Sequence, residues 1–99
     1  IDASLDAGAH IIELHTGNYA NAKAISKQRA ELERIKEATE YAIKKGFTVN
    51  AGHGLNYKNV KPIVRIEGIN ELNIGHSIVS YAVFVGIFEA VSKMRELIK

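Results

Sequence analysis

Three short stretches of this chain close on the same kinds of residue. The apolar run Ala9–Leu14 closes on Glu13, His15, Thr16 and Gly17; Phe47–Gly52 closes on Asn50, Gly52, His53 and Gly54; Ile69–Gly75 closes on Asn73, Gly75 and His76. An imidazole can give and take protons near neutral pH. His53 lies between two glycines, where the backbone can turn sharply and a ligand can come close to the main chain. The plainer alternative is a tight turn whose histidine points into water. Gly75-His76-Ser77 leads into a helix, and the free N–H groups and positive dipole end of a helix start suit a phosphate. The plainer alternative there is that Ser77 caps the helix and the glycine relieves strain. Glu13 interrupts an otherwise apolar strand. A carboxylate facing inward must be paired, hydrogen-bonded or protonated, and such a group can stabilise proton-bearing intermediates. Alternation alone leaves its face open.

Four histidines, His10, His15, His53 and His76, raise the question of a metal. Glu13 and His15 share a strand face, but His10 has the opposite parity. Neither an H-x-H pair nor an H-E-x-x-H helix is present, so a catalytic metal is the weaker reading. Gly52-His53-Gly54 does not begin a dinucleotide fingerprint either, because Tyr57 stands where the third glycine belongs.

The elements that must position these groups alternate along the chain. Residues 1–8 read as the tail of a helix with Gly8 at its C′ position, which leads us to expect a piece of a longer polypeptide; a trimmed or mature N-terminus is the alternative. After the first strand, residues 22–45 read as a long helix with Leu32, Ile35, Thr39 and Ala42 on one face, stopped at Lys44-Lys45-Gly46. The second strand, Phe47–Gly52, precedes a short helix over Asn59–Arg65, which Asn59 can cap and whose first turn tolerates Pro62. The third strand, Ile69–Gly75, precedes a final helix over Ser77–Ile98. Phe84, Ile87, Phe88, Val91, Met94 and Ile98 share one of its faces, and its uncharged first half predicts burial on both sides. Alternating strands and helices predict an α/β fold with a parallel sheet. Three strands leave both sheet edges open. A β/α barrel of eight such units is the first choice, a doubly wound sheet the second. In both, ligands bind at the C-terminal ends of the strands, where all three polar clusters fall.

Composition narrows the function. The chain is 46% hydrophobic and 24% charged, and its 13 basic residues are interspersed among 11 acidic ones for a net charge of +2. That is the composition of an ordinary globular domain, and it argues against a nucleic-acid surface, which needs a concentrated basic stripe. With no cysteine there is no disulfide and no thiolate metal site, in keeping with a reducing compartment. No basic leader opens the chain, and the uncharged run Ser77–Phe88 is too short to span a bilayer. The expectation is a soluble cytoplasmic protein.

Taken together, "ELHTGNYANAK", "VNAGHGLNYKNV" and "ELNIGHSIVSYAVFVG" resemble the pyridoxine 5′-phosphate synthase family over nearly the whole chain. These are TIM-barrel enzymes that close the pyridine ring of vitamin B6. The resemblance is to strands six to eight of the (β/α)8 barrel, so residues 1–99 would be the C-terminal part of a single TIM-barrel domain. It implies condensation of 1-deoxy-D-xylulose 5-phosphate with 3-amino-2-oxopropyl phosphate, releasing phosphate and water, with no metal or organic cofactor. It further implies His53 as proton donor, Glu13 as transition-state stabiliser, and Gly54, Gly75 and His76 as ligands of the aminoketone phosphate. Homo-oligomers built as octamers are implied too. The family's other catalytic histidine, its basic glutamate and the arginines that grip the xylulose phosphate have no counterpart in these residues, so this chain alone is expected to be inactive. Two other readings are a non-catalytic phosphate-binding α/β module that completes its sheet by self-association, and a metal-dependent barrel hydrolase using His15, His53 and His76.

Overall fold

Alternation divides the first strand, β1 (Ile11–His15), into two faces. Ile12 and Leu14 are half-buried, while Ile11, Glu13 and His15 are exposed. A computed structural model describes all residues, 1–99, and places β1 beside β2 (Thr48–Gly52), with β3 (Ile69–Asn73) beyond it, in one parallel sheet of order β1-β2-β3. The register sets Glu13 opposite Asn50 and Asn50 opposite Glu71, and His15 opposite Gly52 and Gly52 opposite Asn73. A bulge at Val49/Asn50 shifts the pairing with β3 by one residue.

Helices cover one face of this sheet. A short α1 (Asp2–Asp6) precedes β1, and α2 (Gly17–Asn21) and α3 (Ile25–Lys44) connect β1 to β2. α3 turns Ile35, Thr39 and Ala42 inward with Leu32 half-buried, the face expected from their spacing. The Thr39 hydroxyl donates to the Ile35 carbonyl at 2.8 Å, satisfying a polar group in the core. α4 (Val60–Val64) follows β2; α5 (His76–Val85) and α6 (Ile87–Ile98) follow β3. The main core joins Tyr19, Ile35, Leu55, Val60, Ile63, Ile66 and Met94, and a smaller one joins Ala42, Phe47 and Val49.

Three expectations are corrected. The final helix is not continuous: Gly86, at φ 88°, separates α5 from α6. Only glycine adopts that backbone cheaply, and it turns α6 out of line with α5. The six apolar residues placed on one face therefore do not share one. Met94 is buried, but Phe84 is 86% and Phe88 85% exposed, and α5 buries no residue at all. Asn59 precedes α4 but does not cap it. Its Oδ1 accepts the Asn56 N–H at 2.8 Å, while Asn56 Oδ1 accepts the N–H groups of Lys58 and Asn59, an Asx turn in place of the cap. Finally, α2 is a helix within what reads as loop. No helix is long and apolar enough to cross a membrane.

Candidate active site

The loop after β2 is built around two consecutive residues in left-handed backbone, His53 at φ 94° and Gly54 at φ 78°. For histidine that conformation is strained, and such strain persists only where the surroundings over-determine it. Here Thr16, the residue after β1, supplies the constraint. Its hydroxyl donates to the His53 carbonyl at 2.6 Å, and its N–H donates to the Gly52 carbonyl at 2.8 Å. Gly54 is required for a second reason, since a Cβ there would lie 2.7 Å from Ala20 Cβ. Gly52, at the strand end, leaves room for the Asn73 backbone, whose oxygen a Cβ would meet at 2.8 Å.

Glu13 lies at the middle of β1 on the face that no helix covers. Its carboxylate accepts a hydrogen bond from Asn73 Nδ2, at the end of β3. The same face carries Asn50, whose Nδ2 donates to Glu71 at 3.4 Å and whose Oδ1 accepts from Asn70 at 3.5 Å. The exposed sheet face is thus a polar row that crosses all three strands. The amide of Asn73, two strands away, fixes the orientation of the Glu13 carboxylate across β2.

Gly75 is the N-cap residue of α5 and His76 its first residue; no side chain caps this helix. Ser77 does not cap it, contrary to the simpler sequence reading. Its hydroxyl donates instead to the Leu55 carbonyl at 2.8 Å, tying the start of α5 to the loop after β2. The first N–H groups of α5 therefore face the opening between the two loops, the arrangement that attracts an anion.

One cleft of about 550 Å³ brings these parts together. Glu13, His53, Gly54, Gly75 and His76 all line it, with Asn73 and Ser77 among their neighbours. The five residues to which the family resemblance gives a role are thereby in one place, while Thr16, Gly17, Asn50 and Gly52 do not line the cleft. His15 lies at the rim, stacked on His53 with ring centroids 4.1 Å apart. His10 precedes β1, at the N-terminal end of the strand, and no three His, Asp or Glu side chains converge as metal ligands. Sequence reasoning did not single out Thr16 as the clamp on His53, nor Asn73 as the partner of Glu13. Both contacts follow from register: with His15 opposite Gly52, parallel pairing carries Thr16 alongside His53.

Such a cleft can hold a phosphate at a helix start, present an imidazole edge to a bound substrate, and set an oriented carboxyl group beside it. Comparison with known proteins identifies the lineage. The family model for the pyridoxal phosphate biosynthesis protein PdxJ matches residues 1–99. Proteins named pyridoxine 5′-phosphate synthase are similar throughout: that of Sulfurihydrogenibium sp. (strain YO3AOP1) is 58% identical over 98 residues, 99% of this chain and 40% of the relative. That of Legionella pneumophila (strain Corby) is 57% identical over 99 residues, and that of Blochmanniella pennsylvanica (strain BPEN) 50%, each alignment covering 100% of this chain. The chain spans 40–41% of the length of these curated relatives. By the match along its whole length, the chain belongs to the PdxJ family.

Proposed function

We propose that these 99 residues are the C-terminal part, strands six to eight, of a (β/α)8 barrel that acts as a pyridoxine 5′-phosphate synthase. The reaction would join 1-deoxy-D-xylulose 5-phosphate to 3-amino-2-oxopropyl phosphate and release phosphate and water, without metal or organic cofactor, in a cytoplasmic homo-oligomer built as an octamer. The observation that carries this reading is the single cleft lined by Glu13, His53, Gly54, Gly75 and His76.

The chemistry follows from the residue types. The uncapped start of α5, with Gly75 and His76, and the main chain at Gly54 hold the phosphate of the aminoketone, fixing its amine and carbonyl in reacting geometry. Imine formation and the loss of phosphate and water each put a proton on a leaving oxygen, and the enol steps move a proton between carbon and oxygen. His53, exposed at the cleft on a clamped backbone, acts as the donor. Glu13, oriented by Asn73, stabilises the positive charge that develops on the nitrogen-bearing intermediates.

The test is product formation from both phosphorylated substrates, without added metal, by the full-length protein that carries these residues. Substitution of His53→Asn should lower kcat by roughly 100-fold or more, the usual scale for a positioned proton donor, with substrate KM little changed. Asparagine tolerates left-handed backbone, so the loop survives the change. Unaltered turnover in His53→Asn would remove His53 from the mechanism. A folded full-length protein that binds phosphate but forms no product would overturn the synthase reading.

A further inference from the structure

We infer that His15 is a positioning residue for His53: the two stacked rings form one unit in which His15 sets the direction of the proton-donating imidazole. The inference rests on the synthase reading and adds to it a residue at the rim of the cleft.

Three contacts grip His53, and all come from the segment His15–Gly17. The rings stack at 4.1 Å with 27° between their planes. Thr16 holds the His53 carbonyl. Gly17 supplies the floor, because a Cβ there would come within 2.5 Å of His15 Cε1 and 3.1 Å of His53 Cδ2. The Gly17 N–H also donates to His15 Nδ1 at 3.2 Å, which fixes that ring in turn.

Burial does not account for the arrangement, since both histidines are exposed. The stack instead restricts a side chain whose backbone is already held in an unusual conformation. Contact through the ring face leaves the His53 nitrogens free at the ring edge, where a substrate oxygen can meet them. Displacing a proton donor by about an ångström is enough to cost on the order of 100-fold in rate.

Two substitutions separate the ring of His15 from its nitrogen. His15→Phe keeps an aromatic face for His53 and loses the acceptor for Gly17. His15→Asn keeps an acceptor near the Nδ1 position and loses the ring. In the full-length protein, His15→Asn should lower kcat roughly 10- to 100-fold with substrate KM values unchanged, and His15→Phe should stay within about threefold of the unsubstituted protein because the stack is retained. NMR of the His53 ring protons gives a readout independent of turnover: the upfield ring-current shift should be present in the unsubstituted protein and His15→Phe, and absent in His15→Asn. The inference stands if kcat follows the ring-current shift across these proteins. It is overturned if kcat falls where the stack persists or persists where the stack is lost. No turnover by the unsubstituted protein would instead count against the synthase reading, and no ring-current shift there would count against the stack itself.

Discussion

At the scale of single residues, the strongest demand in this chain is the pair of left-handed residues at His53 and Gly54. A non-glycine residue held there costs on the order of 1–3 kcal/mol, and Thr16 offsets part of it through its two bonds to Gly52 and His53. Under the proposed function, that strain accompanies the placing of the proton donor at the cleft. Gly54 has no such latitude. Its positive φ disfavours any side chain, and Ala20 leaves no room for one. Gly54→Ala should destabilise the full-length protein by about 1–3 kcal/mol, read as a lowered urea midpoint at unchanged slope. An unchanged midpoint would mean that α2 and the loop move apart freely, and the clamp described here would not hold.

At the scale of elements, α2 is too short to persist alone, since a helix of one or two turns does not overcome its nucleation cost. Tyr19 holds it: the side chain is 2% exposed, and its hydroxyl donates to the Asn59 carbonyl at 2.7 Å, linking α2 to the start of α4. Burial raises the Tyr19 pKa above its ordinary value of 10.0. The folded state then keeps the phenol protonated where the unfolded chain has begun to ionise. This contribution is complete below pH about 10 and is lost as pH rises through the raised value. Tyr41, through its bond to Asp2, and Tyr57, through burial, shift in the same direction. Tyr19→Phe should cost about 0.5–1.5 kcal/mol near neutral pH and lose less stability than the parent protein as pH rises past 10, measured by denaturant unfolding across that range. A parallel pH dependence in the two proteins would show that the phenol is not desolvated. The same elements show what could be read in advance. The order of strands and helices and the inner face of α3 follow from apolar spacing, and the site follows from strands whose C-terminal ends are polar. Helix α2 escaped because five residues carry no period. The break at Gly86 escaped because the apolar spacing of Phe84, Phe88 and Val91 runs straight through it, and only the backbone angle ends the helix. The Thr16–His53 and Asn73–Glu13 contacts join strands, so they depend on register, which apolar pattern alone does not fix.

At the scale of the whole molecule, the sheet is covered on one side only, whereas parallel sheets are normally covered on both. Its open face is the polar row of Glu13, Asn50, Glu71 and Asn73, suited to a solvated or substrate-filled interior. The helices present the opposite mismatch. Val79, Val83, Phe84, Ile87, Phe88 and Val91 are all exposed on α5 and α6, and α5 contains no Lys, Arg, Asp or Glu. Only 17 of 99 residues are buried, well short of what a self-sufficient domain of this size encloses, so these apolar groups need a covering surface. Expressed as these 99 residues alone, the chain should associate with itself and form no product. Replacing Phe84→Asp together with Phe88→Asp should shift it toward the monomer, because both side chains stand almost wholly in solvent and a carboxylate there costs the fold little while opposing apolar contact. Sedimentation velocity distinguishes the outcomes. A monodisperse monomer before substitution would mean that the exposed helices do not drive association, and the apolar surface would then have to be satisfied by rearrangement within the chain.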